Sequence, residues 1–238
     1  MEFTYEQRMR FDMTLQRMLE FTNANLGSCI YFVPPIATAE DVKRAGRIAF
    51  DLWESPKMID SFLERYGNVP ELPGVDHDTV REWRHALRGP FFIQKAAGNT
   101  AELLYDETIF EVHSMNRMWE DLVPYQPDLI YTTLIPFDGK IVCDGFVLHH
   151  ESNVQGSGVQ RLQRTRATAR KKGIVTTAAE FKQVADRLME KRRQGLLEPN
   201  AAAVWMNYIA QYNELCNDSC FPYEIPRCEI PRILQYTA

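Results

Sequence analysis

Residues 129–148, LIYTTLIPFDGKIVCDGFVL, hold two apolar runs, 129–136 and 140–148, on either side of Phe137-Asp138-Gly139. An Asp-Gly pair between apolar runs supplies the positive φ values that a tight connection between antiparallel strands needs. The stretch therefore predicts a β-hairpin with Asp138 and Gly139 at its tip. Asp144-Gly145 interrupts the second run. Glycine inside a strand marks a bulge or a sharp bend, the device by which a small sheet closes on itself.

Working back from this hairpin, the apolar period is two as far as Pro90. It gives strand candidates at 91–97, 101–105 and 109–113, separated by Gly98-Asn99 and by the turn residues 106–108. The connector 114–127 includes a helical turn around Met118, Trp119 and Leu122. Five short strands with hairpin connections must bury one face. At this size the economical solution is a small closed or half-closed antiparallel barrel of the SH3-like kind, with an open sheet covered by helices as the alternative.

On both sides the period becomes helical. Residues 4–22 place Phe11, Leu15, Met18, Leu19 and Thr22 at three- and four-residue spacing. Thr38 with Asp41 caps a second helix through Val42, Ala45, Ile48, Ala49 and Leu52. Ser55-Pro56 opens a third, which Gly67 stops, and Asp76 or Asp78 caps a fourth carrying Val80, Trp83 and Leu87. Beyond the β segment, Thr177 with Glu180 caps a helix through Phe181, Val184, Leu188 and Met189, and Pro199 or Asn200 starts another through Val204, Trp205, Ile209 and Tyr212. The expected fold is α+β, with helical N- and C-terminal regions around a five-stranded SH3-like barrel or sheet. Its parts are a helical region 1–89, a β module 90–150, a polar then basic linker 151–176, and C-terminal helices with a proline-containing tail, 177–238.

The 238 residues, 45% hydrophobic and 25% charged, match an ordinary globular protein. No stretch approaches the ~18 apolar residues of a membrane span, and the first ten residues mix acids and bases instead of leading into an apolar signal core. The expectation is a cytoplasmic protein with no membrane partner. Five cysteines, an odd number, fit reduced thiols in that compartment. Charge is uneven along the chain: residues 1–150 carry 14 Lys+Arg against 23 Asp+Glu, net -9, and residues 151–238 carry 13 against 9, net +4. The whole is a poor general polyanion binder, while the last third is a local candidate.

The β segment carries Gly89, Phe91 and Ile93 at its first strand, then Leu134, Pro136, Phe137, Gly139, Lys140, Ile141, Asp144 and Gly145. This resembles a group of uncharacterised bacterial proteins with a helical N-terminal region and a small barrel-like module carrying Leu-x-Pro-Phe-x-Gly-Lys/Arg-Ile-x-x-Asp-Gly. The resemblance covers roughly residues 89–148 and implies a fold neighbourhood and no activity. Some proteins of that group end in a cysteine-bearing metal tail. Here Cys216, Cys220 and Cys228 lack its Cys-x-Cys start.

No motif for a cofactor survives inspection, so none is expected. The Walker phosphate loop is absent, and Gly156-Ser157-Gly158 lacks the third glycine and helix opening of a dinucleotide site. His149-His150-Glu151 lacks the second histidine one helical turn away that a zincin needs. Cys216, Cys220 and Cys228 form one loose triplet and not two close pairs, which favours free thiols over zinc, even with His149 or His150 as a fourth ligand. Asp138 and Asp144 each precede glycine where a turn or bulge residue is required, which favours structure over acid-base chemistry. His113 alternates with Phe110 and Val112 and reads as a solvated strand residue.

Arg161, Arg164, Arg166, Arg170, Lys171 and Lys172 are six cations with no acid among them, and Arg187, Lys191, Arg192 and Arg193 follow on the next helix. Six phosphate contacts at about 0.9 counterions each would give a salt slope near five. The stretch has no interleaved aromatics for base stacking, and docking against the acidic N-terminal half explains the same charges. Every recognisable feature thus has a structural explanation and no catalytic set stands out. The leading expectation is a non-catalytic, protein-binding scaffold. A nucleic-acid-associated protein using residues 161–172 and an enzyme with a site assembled from scattered residues are the alternatives, and the oligomeric state is left open.

Overall fold

Four helices precede the first strand: α1 (Tyr5–Leu26), α2 (Ala39–Glu54), α3 (Lys57–Tyr66) and α4 (His77–Glu82), the last running into a 3₁₀ turn, Trp83–His85. The computed structural model describes residues 3–29, 31–55, 57–67, 75–123, 129–150 and 157–195. In α1 the Thr4 hydroxyl accepts from the Gln7 N–H while the Gln7 side chain accepts from the Thr4 N–H, and Thr38 and Asp41 make the same reciprocal pair at α2. Each box satisfies backbone donors that a helix start otherwise leaves without partners.

The β module follows as β1 (Leu87–Ala97), β2 (Thr100–Tyr105), β3 (Thr108–His113), a helical turn α5 (Trp119–Leu122), β4 (Leu129–Phe137), β5 (Lys140–Cys143) and β6 (Leu148–His150). After it come α6 (Ser157–Lys172), a short strand β7 (Ile174–Val175) and α7 (Ala178–Arg193). The chain is α+β, with helices flanking a small closed barrel of five strands. The Asp138-Gly139 hairpin tip is as expected, with φ of 48° and 77° and Phe137 opposite Lys140.

Closure depends on the length of β1. Its first half pairs antiparallel with β4, from Leu87 opposite Leu134 to Phe92 opposite Leu129. Its second half pairs with β2, after an irregularity between Ile93 and Lys95 that turns the strand. The ring then runs β1-β2-β3-β5-β4 and back to β1. The β3–β5 contact is parallel, His113 opposite Val142, and β7 takes the neighbouring part of the β3 edge at Ile109 and Phe110. The closed ring is therefore mixed, with four antiparallel contacts and one parallel, where the sequence predicts antiparallel pairing throughout.

Three differences from the sequence expectation have physical causes. Residues 140–148 do not form one strand: β5 ends at Cys143, the chain bends through Asp144 and Gly145 (φ 86°), and β6 rejoins the same edge of β4 further along. β1 starts at Leu87, within residues expected to be helical, because β4 offers a pairing edge there. Residues 157–172, expected within a linker, form α6, a full helix lying against β3.

All nine residues of β4 are buried, because the strand has apolar neighbours on both faces. On one face Ile135, Phe137 and Val142 meet Phe11, Met18, Leu19, Ile48, Leu52, Trp53, Phe62 and Trp83 of the helical layer. On the other, Ile130 and Leu134 join Phe91, Leu103, Phe110, Val112, Trp119 and Ile141, with Phe181, Ala185 and Leu188 of α7 closing over them. A smaller cluster, Leu104, Ile109 and Ala169 with Phe92, Leu162 and Ile174 against it, seats α6.

Candidate functional site

Where α2, β1, β4 and α7 meet, the core contains charge. Arg88 of β1 is 7% exposed. Its guanidinium donates to the Thr133 hydroxyl at 3.2 Å, lies 4.6 Å from the centre of the Phe50 ring and 5.2 Å from that of Tyr131, and has its Nε 3.7 Å from Glu54. Glu54, at the end of α2, accepts from Arg192 of α7 through both carboxylate oxygens at 3.2 and 3.3 Å, and Arg192 also donates to the Arg88 carbonyl. Burial disfavours the charged form of Arg192, yet Glu54 together with Tyr131 and Tyr105 more than offsets it and holds the guanidinium above its ordinary value. Burial pushes the neighbouring Tyr105 hydroxyl up to about 12.

The second half of this centre is the bend after β5. Asp144 accepts from the Trp53 indole at 2.8 Å, from the Phe146 N–H at 3.0 Å and from the Thr132 hydroxyl at 3.3 Å. The Phe146 contact is an Asx turn, in which the side chain mimics a backbone turn. Burial raises the Asp144 carboxyl above its ordinary range, and the opposing pull of Arg88 does not reverse it. Cys143 is buried beside it, its thiol pushed up to about 12 by burial and then by Asp144, so it is held as a neutral thiol and not as a nucleophile. Asp138, in contrast, sits at the hairpin tip paired with Arg10. The two aspartates have different partners and serve as turn residues, as their positions before glycine indicated.

His113 is a correction. Its side chain is 12% exposed, with the Phe3 ring edge-on at 6.1 Å and Lys140 lying 4.6 Å over Phe3. His113 does alternate outward from the barrel, but Phe3 covers that outer face. Burial, then the positive charge of Lys140, pulls the imidazole down to about 4 from 6.5. A base with a depressed folded value contributes stability above 6.5 that is lost as the pH falls toward 4. His113→Gln is expected to remove about 1–2 kcal/mol of that acid sensitivity, allowing for solvent screening of a partly exposed ring. Urea unfolding of both proteins at neutral and acid pH measures it; parallel losses would show that another group titrates.

The basic stretch is brought onto the acidic half. Arg170 pairs with Glu102 of β2, and Lys172 with Glu107 in the β2–β3 turn. From α7, Lys191 reaches Asp106 in the same turn at 2.8 Å, Lys182 reaches Glu82 at 2.6 Å, and Arg192 reaches Glu54. The last turns of α6 and α7 thus converge on one acidic hairpin, an arrangement visible only in three dimensions. Arg164 and Lys171 are exposed and make no ion pair among the described residues, and Arg166 is half-buried. Of Arg161 only its place in α6 is described. Cys216, Cys220 and Cys228 lie outside the described residues, as do the side chains of His149 and His150; among the described residues no group of His, Cys, Asp or Glu converges to hold a metal.

The exposed apolar surface is concentrated elsewhere. Tyr5 (71% exposed), Met9 and Met13 (40% each), Leu26 (44%), Tyr31 (61%), Val33 (72%) and Met118 (55%) are the large hydrophobic side chains facing solvent among the described residues. All but Met118 fall between residues 5 and 33, and Tyr5, Met9 and Met13 share one face of α1 at four-residue spacing. The apolar period of α1 in the sequence marks only its buried side, Phe11, Leu15, Met18 and Leu19, and does not single out this face. No described helix is long and apolar enough to cross a membrane.

The molecule is therefore an α+β protein in which helices brace a five-stranded barrel and a partly buried ionic cluster joins α2 and α7 to its outer side. No protein-family model, curated protein or solved structure matches the chain.

Proposed function

We propose that this chain is a non-catalytic scaffold that binds a protein partner through the outer face of α1 and the adjoining loop at Tyr31 and Val33. The observation that carries the reading is that, among the described residues, every large exposed hydrophobic side chain except Met118 falls in that region. Tyrosine and methionine are enriched at the centres of protein interfaces, and an apolar patch ringed by polar residues marks such a surface. The titratable groups support it from the other direction: Cys143, Tyr105 and His113 are held uncharged by burial, and Glu54 is engaged by two arginines.

A photo-reactive residue in place of Met9 of the full chain should cross-link a protein in the cells that make it, and Met13→Glu should weaken that product at least tenfold without changing the thermal midpoint. A product containing only this chain would make the partner a second copy. Labelling that is indifferent to Met13→Glu, or no protein product, would overturn the reading.

A further inference from the structure

We infer that the outer face of α6 is a second, independent surface that takes the phosphate backbone of a double-stranded nucleic acid, and that Glu102 and Glu107 hold it partly closed. α6 rises about 24 Å over its 16 residues. Its inner side is seated by Leu162 and Ala169 on Leu104 and Ile109. The exposed side chains described on the rest are Gln160, Gln163, Arg164, Ala167, Arg170, Lys171 and Lys172.

The chemistry of that face selects the ligand. Among its described side chains it presents no large apolar or aromatic anchor, which a stable protein interface needs at its centre. The same lack removes base stacking, the main source of affinity for single strands. Cations and amides without anchors match what binds phosphate and sugar irrespective of sequence. Arg164 and Lys171 lie seven residues apart on one face, about 10 Å along the axis, and are unpaired among the described residues.

The ion pairs set the strength. From six cations the salt slope would approach five, but Arg170 and Lys172 are engaged by Glu102 and Glu107 and Arg166 is half-buried, leaving Arg164 and Lys171 as the exposed described cations and a slope near two at about 0.9 per contact. Arg170, Lys172 and Glu107 are each about half exposed and Glu102 is 19% exposed, so the Lys172–Glu107 pair is worth little and Arg170 can turn from Glu102 toward solvent. Binding should be weak at physiological salt and measurable at low salt. Removing the two glutamate charges should strengthen it, although neither residue lies on α6.

Fluorescence anisotropy of the full chain with a 20-base-pair DNA duplex tests this across salt concentrations. Glu102→Gln with Glu107→Gln should tighten binding about tenfold at ~0.05 M salt and steepen the salt slope by about 1.8. Arg164→Gln with Lys171→Gln, both solvent-facing, should weaken binding at least tenfold and flatten the slope by a similar amount. Unchanged binding in the glutamate variant, or equal binding by wild type and the arginine–lysine variant, would overturn the inference. So would tighter binding of poly-glutamate than of duplex at equal charge, which would make the surface one for acidic protein. None of these outcomes bears on cross-linking through Met9, so the two surfaces are tested separately.

Discussion

Arg88→Ala is expected to destabilise the fold by about 3–5 kcal/mol, the usual cost of removing one partner from a buried ion pair. The truncation withdraws the guanidinium from between Phe50 and Tyr131, takes the donor from Thr133, and removes the positive charge facing Glu54 and Asp144. Part of the cost is the charge left less compensated at Glu54, which keeps Arg192 as a partner but loses Arg88. The same substitution made in a Glu54→Ala background should therefore cost about 1–3 kcal/mol less, the range of coupling for groups in one network. Urea unfolding of the four proteins in this cycle measures the difference. Additive losses would show that Arg88 acts through packing alone.

Asp144→Ala should cost about 2–4 kcal/mol, because it leaves the buried Trp53 indole N–H without its acceptor and removes the Asx turn that bends the chain from β5 toward β6. Asp144→Asn should cost less, since an amide oxygen still accepts one of these hydrogen bonds. The pH dependence separates charge from shape. Burial raises the folded carboxyl above the ordinary 3.8, so its contribution is fully present below 3.8 and is lost as the pH rises through the folded value. Wild-type stability relative to Asp144→Asn should therefore fall as the pH rises above about 3.8. This slope opposes that of His113, which loses stability as the pH falls. A constant difference between wild type and Asp144→Asn across that range would mean that the carboxyl does not titrate within the fold.

Much of the fold was legible because its signals are local. Thr38 with Asp41, Thr177 with Glu180, the helical turn at Trp119 and the Asp138-Gly139 tip each depend on residues within a turn of one another, and each is found where expected. The bend at Asp144-Gly145 was legible as a bend, but not its result. Whether residues 146–148 continue a strand depends on which edge of β4 is open to them.

α6 was missed because its apolar side is narrow. Leu162 and Ala169 suffice once Leu104 and Ile109 are placed beneath them, and Arg, Gln, Ala and Lys favour helix without announcing a wide apolar stripe. Of the candidate sites, the six cations were found by composition alone, whereas their acidic partners Glu102 and Glu107 lie more than sixty residues earlier.

By itself, then, the sequence determined the α+β class, the helix caps, the hairpin tip and the opposed charges of the two parts of the chain. These follow from backbone geometry, side-chain capping and counting. The tertiary structure alone decided that buried Arg88 and Asp144 and half-buried Glu54 and Arg192 share one cluster, that Phe3 covers His113, and that Tyr5, Met9 and Met13 stay at the surface. The reason is that burial and charge pairing depend on distances through space between segments far apart in the chain, and periodicity along one segment carries no information about its neighbour.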